Sequence, residues 1–262
     1  MFDFPNSDRP DGFKFKTNLL KSVIFQLKYE ERGLVSVSSK EIAEKLKGAF
    51  PIFVPVIEGH ATLKISKDKT PIIQSGGNTT KGLELKTEDN NKILSITEDT
   101  LSYTIHGSAY ENFEKSISEI KKDFLPILSG LNILKFSRIA IRKINLMEQV
   151  EPKNYSDNEL LIKVFNQNLI NNFISFPDTN SMVSGVTNVR IEKENNRLNV
   201  SYGLIPPTKE GGKQILLDID LFCINQEVDI DSVESKWKEI NNEIFNIFNW
   251  AICEGLKESL NQ

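Results

Sequence analysis

The chain contains very little cysteine and histidine, and this scarcity excludes several kinds of site. Among its 262 residues there are two cysteines and two histidines. Two widely spaced thiols, Cys223 and Cys253, cannot form a disulfide framework, which favours a reducing compartment. We expect both to be buried and inert. His60 and His106 stand in no HxxxH or HExxH spacing, and a zinc site needs three or four ligands, so we predict no bound metal.

Long apolar runs and a strong charge of one sign are also absent. No run approaches the roughly 18 residues that span a bilayer. The N-terminus, MFDFPNSDRPDGFKFKTN, has no basic start followed by an apolar core, as a secretory signal has. The net charge of −4 provides no global basic field for nucleic acid or an anionic membrane. These features predict a cytoplasmic protein without membrane insertion, in which only a local basic patch would bind nucleic acid.

The signatures of common catalytic sites are missing as well. There is no GxSxG elbow for a serine nucleophile. The stretch SGGNTTKG (75–82) lacks the GK[ST] ending of a phosphate-binding loop, and we interpret it as a flexible loop between strands. PPTKEGGK (206–213) is interpreted as a second loop of turn-forming residues. We therefore predict no catalytic residues, no cofactor, and a protein that is not an enzyme.

What the sequence does contain is an alternation of strands with amphipathic helices. Long helices are predicted over 108–130, where apolar residues recur with a 3.6-residue period, and over 232–260, where a stripe runs from Trp237 to Ile252. Shorter helices are predicted over 38–50 and 157–173. Strands are predicted over 22–30, 61–66, 82–88, 92–97, 101–107, 133–148, 186–194, 196–205 and 213–224.

In both halves of the chain, antiparallel strands precede a long helix, which predicts an α+β fold with each sheet covered by a long amphipathic helix. The hairpins TEDNNKILSI (87–96) and EKENNRLNVS (192–201) share a pattern of acidic, Asn, Asn, basic and apolar residues. That pattern suggests two related lobes, 1–150 and 151–262, produced by duplication; chance recurrence of Asn-rich turns is the alternative. The polar linker 148–159 is the natural boundary, unless the lobes pack as one continuous unit.

One predicted strand, SRIAIRKINL (137–146), carries three basic residues among its isoleucines. Arg138 and Arg142 share one face of an extended strand, whereas Lys143 points to the other. An unpaired buried guanidinium is costly, so intramolecular pairing with acids is one interpretation. The other is a site for an anionic partner. In that case Arg138, Arg142, Lys143 and Arg190 would contact phosphates.

The acids available for such pairing include Asp218 and Asp220 in LLDIDLF, which also share one strand face. Glu84 is another candidate. Two carboxylates on one face would also suit metal or acid–base chemistry, but we favour a sheet with one wet face.

Three segments together, SRIAIRKIN, LLDIDLF and WKEINNEIFNIFNWAICEGL, resemble a sporadically distributed prokaryotic family of uncharacterised function. That family begins with a strand like LLKSVIFQLKYE and continues with an R-x-x-x-R-x-x-N strand, matched here by Arg138, Arg142 and Asn145. An Asp-containing strand and a phenylalanine-rich helix follow. The resemblance covers nearly the whole chain and brings no established catalytic residues. The patchy distribution of the family implies mobile or defence-related gene neighbourhoods.

We therefore expect a non-catalytic binding or adaptor subunit of a prokaryotic protein complex, working in anti-phage or mobile-element defence, with a partner encoded by a neighbouring gene. One alternative is an accessory nucleic-acid-binding subunit of a guided nuclease of the Argonaute type. Another is a small-molecule pocket between the sheet and the last helix, as in helix-grip folds, for which Trp237, Phe245 and Trp250 would have to face a cavity. The oligomeric state is left open.

Overall fold

The structure is a computed structural model that describes residues 1–5, 15–16, 18–31, 33, 35–65, 71–148, 157–175, 184–206 and 214–261. For residues 58–65 and 71–80 the description covers the backbone. The strands are β1 (Leu20–Lys28), β2 (Ile52–Ile65), β3 (Pro71–Lys86), β4 (Lys92–Thr97), β5 (Thr100–His106), β6 (Lys135–Glu148), β7 (Gly185–Lys193), β8 (Asn196–Ile205) and β9 (Gln214–Asp229). The helices are α1 (Val35–Leu46), α2 (Phe113–Glu119), α3 (Leu125–Gly130), α4 (Asp157–Val164), α5 (Gln167–Ile174), α6 (Val233–Ala251) and α7 (Glu254–Asn261).

All nine strands form one antiparallel sheet in the order β2-β3-β4-β5-β1-β6-β9-β8-β7. The mixture of helices with this sheet makes the fold α+β, as predicted. If the chain is divided before β6, rather than at the predicted boundary of 148–159, the first strand of each half lies at the centre, where β1 pairs with β6 and Phe25 stands opposite Ile141. In the first half β5 returns to β1, and in the second half β9 returns to β6. The first half has an additional outer strand, β2, which has no counterpart among the described residues of the second half.

The core lies on one side of this sheet, which we call the helix face. Strand residues alternate in burial, so Val23, Phe25 and Leu27 of β1 are buried while the residues between them are less so. Helix α6 packs on β6 and β9. Its Trp237 is fully buried, and the indole Nε1 donates to Ala140 O at 3.2 Å. The described helices that pack on the sheet all do so on this face.

The predicted helix over 108–130 is interrupted in its middle. Five residues, Ile120–Phe124, form a π-helical turn between α2 and α3. Pro126 is the second residue after this turn. Its nitrogen cannot donate a hydrogen bond and its ring collides with the carbonyl four residues earlier, so widening of the preceding turn accommodates it. Gly130, at the end of the predicted helix, is by residue type the expected C-cap, but it is itself helical, and Asn132, with φ of 57°, is the residue in the left-handed region.

The other helix predictions also need adjustment at their ends. Helix α1 spans Val35–Leu46, so it begins before and ends before the predicted helix 38–50. The predicted helix 157–173 is divided into α4 and α5, and 232–260 into α6 and α7. The two interruptions pair with each other through an isolated bridge between Phe165 and Ile252. Asn166 N donates to Ala251 O at 2.8 Å, so the bridge satisfies backbone groups that the breaks expose.

The prediction that SGGNTTKG (75–82) is a loop was wrong, because these residues lie within β3. At Gly82, the last of these residues, a Cβ atom would stand 2.2 Å from Ile96 O on β4. That glycine permits close approach of two strands rather than a turn. The second predicted loop, 206–213, lies outside the described residues except for Pro206.

Candidate functional site

Five of the six predicted site residues lie on one surface, the side of the sheet opposite the helix face, which we call the open face. A row of Cα partners crosses four strands there, from Arg142 on β6 to Asp220 on β9, Asn199 on β8 and Arg190 on β7. Arg138 and Asp218 belong to neighbouring rows of the same face, because they are separated from members of the first row by an even number of strand residues.

Arg142 and Asp218 form the tighter of two ion pairs on this face. Arg142 Nε donates to Asp218 Oδ1 at 2.9 Å, and Nη2 donates to Oδ2 at 2.5 Å. This is the forked geometry in which a guanidinium binds a carboxylate most strongly. The hydrogen bonds to Asp218 raise the pKa of Arg142. The Asp218 side chain is 11% exposed and that of Arg142 46%, so the pair is open to solvent from the arginine side.

Arg138 and Asp220 form a looser pair. Arg138 Nη2 lies 3.7 Å from Asp220 Oδ2, and its guanidinium carbon stands 4.0 Å above the centre of the Phe222 ring, a cation–π contact. Asn199 Nδ2 donates to Asp220 Oδ2 at 3.2 Å. Burial lowers the pKa of Arg138 and raises that of Asp220 despite their mutual attraction. Arg138 Nε is buried and has no hydrogen-bond partner among the described residues.

Arg190 lies at the edge of the open face and also has an acidic neighbour. Its Nη2 is 2.7 Å from Glu192 Oε1, while Arg197 Nε is 2.9 Å from Glu192 Oε2. Lys143 is separated from the three arginines by the sheet itself, because it lies on the helix face, where its Nζ donates to Asn241 Oδ1 of α6 at 2.7 Å. The four basic residues therefore do not line one groove, and each of the three arginines faces a carboxylate.

The cysteines and histidines singled out in the sequence form no recognisable reactive site in the described part of the chain. Within the described part of the chain, no cluster of three His, Cys, Asp or Glu residues could hold a metal ion. Cys223 is buried, and burial raises the pKa of its thiol. Cys253 is only partly buried, contrary to the prediction, because it lies at the break between α6 and α7; its Sγ donates to Lys163 O at 2.8 Å. His106 ends β5, and the side chain of His60 lies outside the description.

Exposed apolar residues at the sheet edges are a feature that sequence reasoning missed. Nine large apolar side chains are exposed among the described residues, and seven of them lie on the two outermost strands, β2 and β7. They are Ile52, Phe53, Val54, Ile57, Val186, Val189 and Ile191. For β2 the signal is the apolar run IFVPV (52–56), which none of the predicted strands includes.

Two cavities adjoin the last helices on the helix face. One of about 700 Å³ is lined by Phe245 of α6, whereas Trp237 is packed in the core. The other, of about 430 Å³, is lined by Trp250, whose ring meets Phe4 edge-on at 5.2 Å. Of the three aromatic residues named for a small-molecule pocket, two therefore reach a cavity.

No protein-family model matches this chain, and no curated protein sequence matches it. Over the described residues, the fold is that of an α+β protein with one nine-stranded antiparallel sheet, whose packed helices lie on one face and whose open face carries the ion-paired arginines and aspartates. None of the helices in the described ranges has both the length and the apolar character that a membrane span requires.

Proposed function

We propose that this protein is a non-catalytic binding subunit that joins a protein partner through an outer strand of its sheet. The observation that supports the proposal is the concentration of exposed apolar side chains on β2 and β7. An outer strand presents unpaired backbone N–H and C=O groups on its free side, and an extended segment of another protein can add to it. Apolar side chains beside that edge then lose water on association.

Of the two edges, β7 is the better acceptor. Pro55 lies in the middle of the exposed part of β2 and cannot donate a backbone hydrogen bond. β7 contains no proline over Gly185–Lys193, and Val189 and Ile191 are 38% and 37% exposed on the helix face. The layer of described helices reaches β8 through α4 but makes no comparable contact with β7.

The strand order gives a further argument for β7. Counting outward from the centre, the first half continues from β3 to β2, whereas in the second half no described strand lies outside β7. The proposal includes the duplication of two related lobes. If the lobes are related, the position next to β7 corresponds to that of β2 in the first half, and a partner strand would occupy it. We infer that the occupant is an extended segment of a different protein, with apolar residues alternating to match Val189 and Ile191.

The setting in anti-phage or mobile-element defence belongs to the same proposal and rests on the family resemblance. The resemblance implies that the partner is encoded beside this gene. The nucleic-acid alternative receives less support, since a phosphate would have to displace a carboxylate from Arg138, Arg142 or Arg190.

The test is affinity purification of the tagged protein from its native host, with co-purifying proteins quantified by mass spectrometry. We expect one protein, encoded by a neighbouring gene, to be captured by the native chain and reduced at least about tenfold by Ile191→Lys, because a charge would be buried in the new interface. Ile162→Lys is the matched control, since Ile162 is 51% exposed but lies on α4.

Hydrogen exchange should show protection of β7 amides in the captured complex. Equal capture by Ile191→Lys and the native chain would contradict the proposal. So would a native chain that is a lone monomer, or one that forms only a homodimer through this edge.

A further inference from the structure

The cavity of about 700 Å³ lies on the helix face, between α6, the segment that leads into α2, and the central strand β6. Its volume falls within the range of roughly 300–1,000 Å³ that is common for small-molecule sites. The sheet separates this cavity from the ion pairs of the open face. The sheet-edge function proposed above makes no use of it.

The charged side chains that line the cavity balance one another. They are two lysines and two glutamates, namely Lys16, Lys143, Glu111 and Glu114. Lys143 Nζ donates to Asn241 Oδ1 at 2.7 Å, and Glu111 forms an ion pair with Lys115. The lining therefore carries no net formal charge. A neutral ligand suits it better than an ion, because an ion would lose its water without gaining an uncompensated countercharge.

Two buried asparagines line the same cavity, and each keeps one polar atom that bonds to no described residue. Asn145 of β6 is 4% exposed, and its Nδ2 donates to Leu217 O at 3.1 Å. Asn241 of α6 is 3% exposed, and its Oδ1 accepts from Lys143. No hydrogen bond joins Asn145 Oδ1 or Asn241 Nδ2 to the described part of the chain. The cavity is thus left with one acceptor and one donor, both on side chains that are held in place.

The rest of the lining is mostly apolar and rich in aromatic rings. The ring of Phe15 stacks on Phe245 with centroids 6.0 Å apart and meets Phe248 edge-on at 5.8 Å. Tyr110 and Phe113, from the region where α2 begins, line the cavity as well. Aromatic rings from separate elements of the fold therefore border one space, and such rings pack favourably against a flat ring in stacked or edge-on geometry.

We propose that this cavity binds a neutral, planar aromatic ligand that carries an amide or lactam group. The carbonyl oxygen of that group accepts from Asn241 Nδ2, and its N–H donates to Asn145 Oδ1. The ring system lies against Phe15, Phe245 and Phe248. A ligand of the same shape without the amide is rejected, because it would cover both asparagine atoms and leave them without a partner.

The test compares three bicyclic aromatic compounds by equilibrium dialysis against the purified full-length chain. The first is 2-quinolone, a neutral lactam; naphthalene has a similar shape without polar groups, and 2-naphthoate carries a charge. We expect 2-quinolone to occupy one site and to bind at least about tenfold more tightly than either of the others, since two additional hydrogen bonds form. Asn241→Leu should lower the affinity for 2-quinolone at least about fivefold and should not lower that for naphthalene.

Asn249→Leu is the matched control and should change neither affinity, since Asn249 lies on the same helix but lines the other cavity. The proposal would be overturned by a native chain that does not bind 2-quinolone, or that binds naphthalene or 2-naphthoate equally well. An unchanged preference for 2-quinolone in a folded Asn241→Leu variant would also overturn it. If that variant does not fold, the three affinities of the native chain decide. Ile191→Lys should bind 2-quinolone normally, so failure at the sheet edge and failure at the cavity are distinguishable.

Discussion

At the scale of single residues, the open face holds two arginine–aspartate pairs. Both join β6 to β9, but they differ in hydrogen bonding and in the effect of burial. Arg142 donates two short hydrogen bonds to Asp218. In the other pair Arg138 Nη2 lies 3.7 Å from Asp220 Oδ2, and the guanidinium packs on the Phe222 ring. In the first pair hydrogen bonding dominates and raises the arginine pKa. In the second pair burial dominates and raises the pKa of Asp220.

This difference predicts opposite effects of two matched substitutions at pH 7. Asp218→Asn should lower the free energy of unfolding by about 1–3 kcal/mol, because Arg142 loses a charged acceptor. Asp220→Asn should have little effect or be stabilising, because the carboxylate that burial disfavours is replaced by a neutral group. Urea denaturation of both variants measures the difference, and a larger loss in Asp220→Asn than in Asp218→Asn would contradict it.

The pH dependence of the Asp220 effect follows from its raised pKa. Folding favours the protonated carboxyl, so this contribution to stability is fully present below the unfolded pKa near 3.8 and is lost as the pH rises through the higher folded pKa. Asn at this position stays neutral at every pH. The stability gained by Asp220→Asn over the native chain should therefore appear only as the pH rises above about 3.8.

At the scale of elements, two glycines show where reasoning from the sequence failed. Glycine in SGGNTTKG (75–82) indicated a loop, yet these residues lie within β3, and Gly82, which also began the predicted strand 82–88, lies against the backbone of β4. Gly130 indicated a helix cap, yet it is helical and has open space where a Cβ would stand. A glycine in the sequence indicates that a side chain could be unfavourable at that position. Whether the reason is a neighbouring strand or the end of a helix depends on residues that are distant in sequence.

Gly82→Ala and Gly130→Ala should consequently shift stability in opposite directions. The first places a methyl group 2.2 Å from Ile96 O and should cost about 1–3 kcal/mol, since two strands must move apart. The second should stabilise the chain by about 0.5–1 kcal/mol through helix propensity. Thermal denaturation followed by circular dichroism measures both, and destabilisation by Gly130→Ala would indicate that this glycine has a capping role after all.

At the scale of the whole molecule, the sequence predicted strand faces better than it predicted their assembly. The alternation around Ile215, Leu217 and Ile219 correctly separated the helix face of β9 from Asp218 and Asp220. It also placed Arg138 and Lys143 on opposite faces. This alternation is a local pattern, so it can be recognised in a single sequence. Pairing of β1 with β6 joins residues more than a hundred positions apart, and no local pattern encodes it.

The pairing of β6 with β9 predicts how fragments of the chain behave. Because β6 ends at Glu148, a fragment 151–262 lacks the strand that pairs with β9 along most of its length, from Gln214 to Asp229. Exposed β9 would leave its buried apolar residues without a neighbour on that side. We expect this fragment to show no cooperative transition when expressed alone, and fragment 135–262, which retains β6, to be the more structured of the two.

The full chain should unfold in a single transition, with circular dichroism and tryptophan fluorescence giving coincident curves in urea. The two probes report on different parts: fluorescence depends on Trp237 and Trp250 of α6, whereas the dichroism signal includes the strands of the first half. A continuous sheet couples them, since disrupting either half removes partners from β1 or β6. Two separated transitions, together with a stable fragment 151–262, would show that the halves are independent lobes and that the central strand pair contributes little to stability.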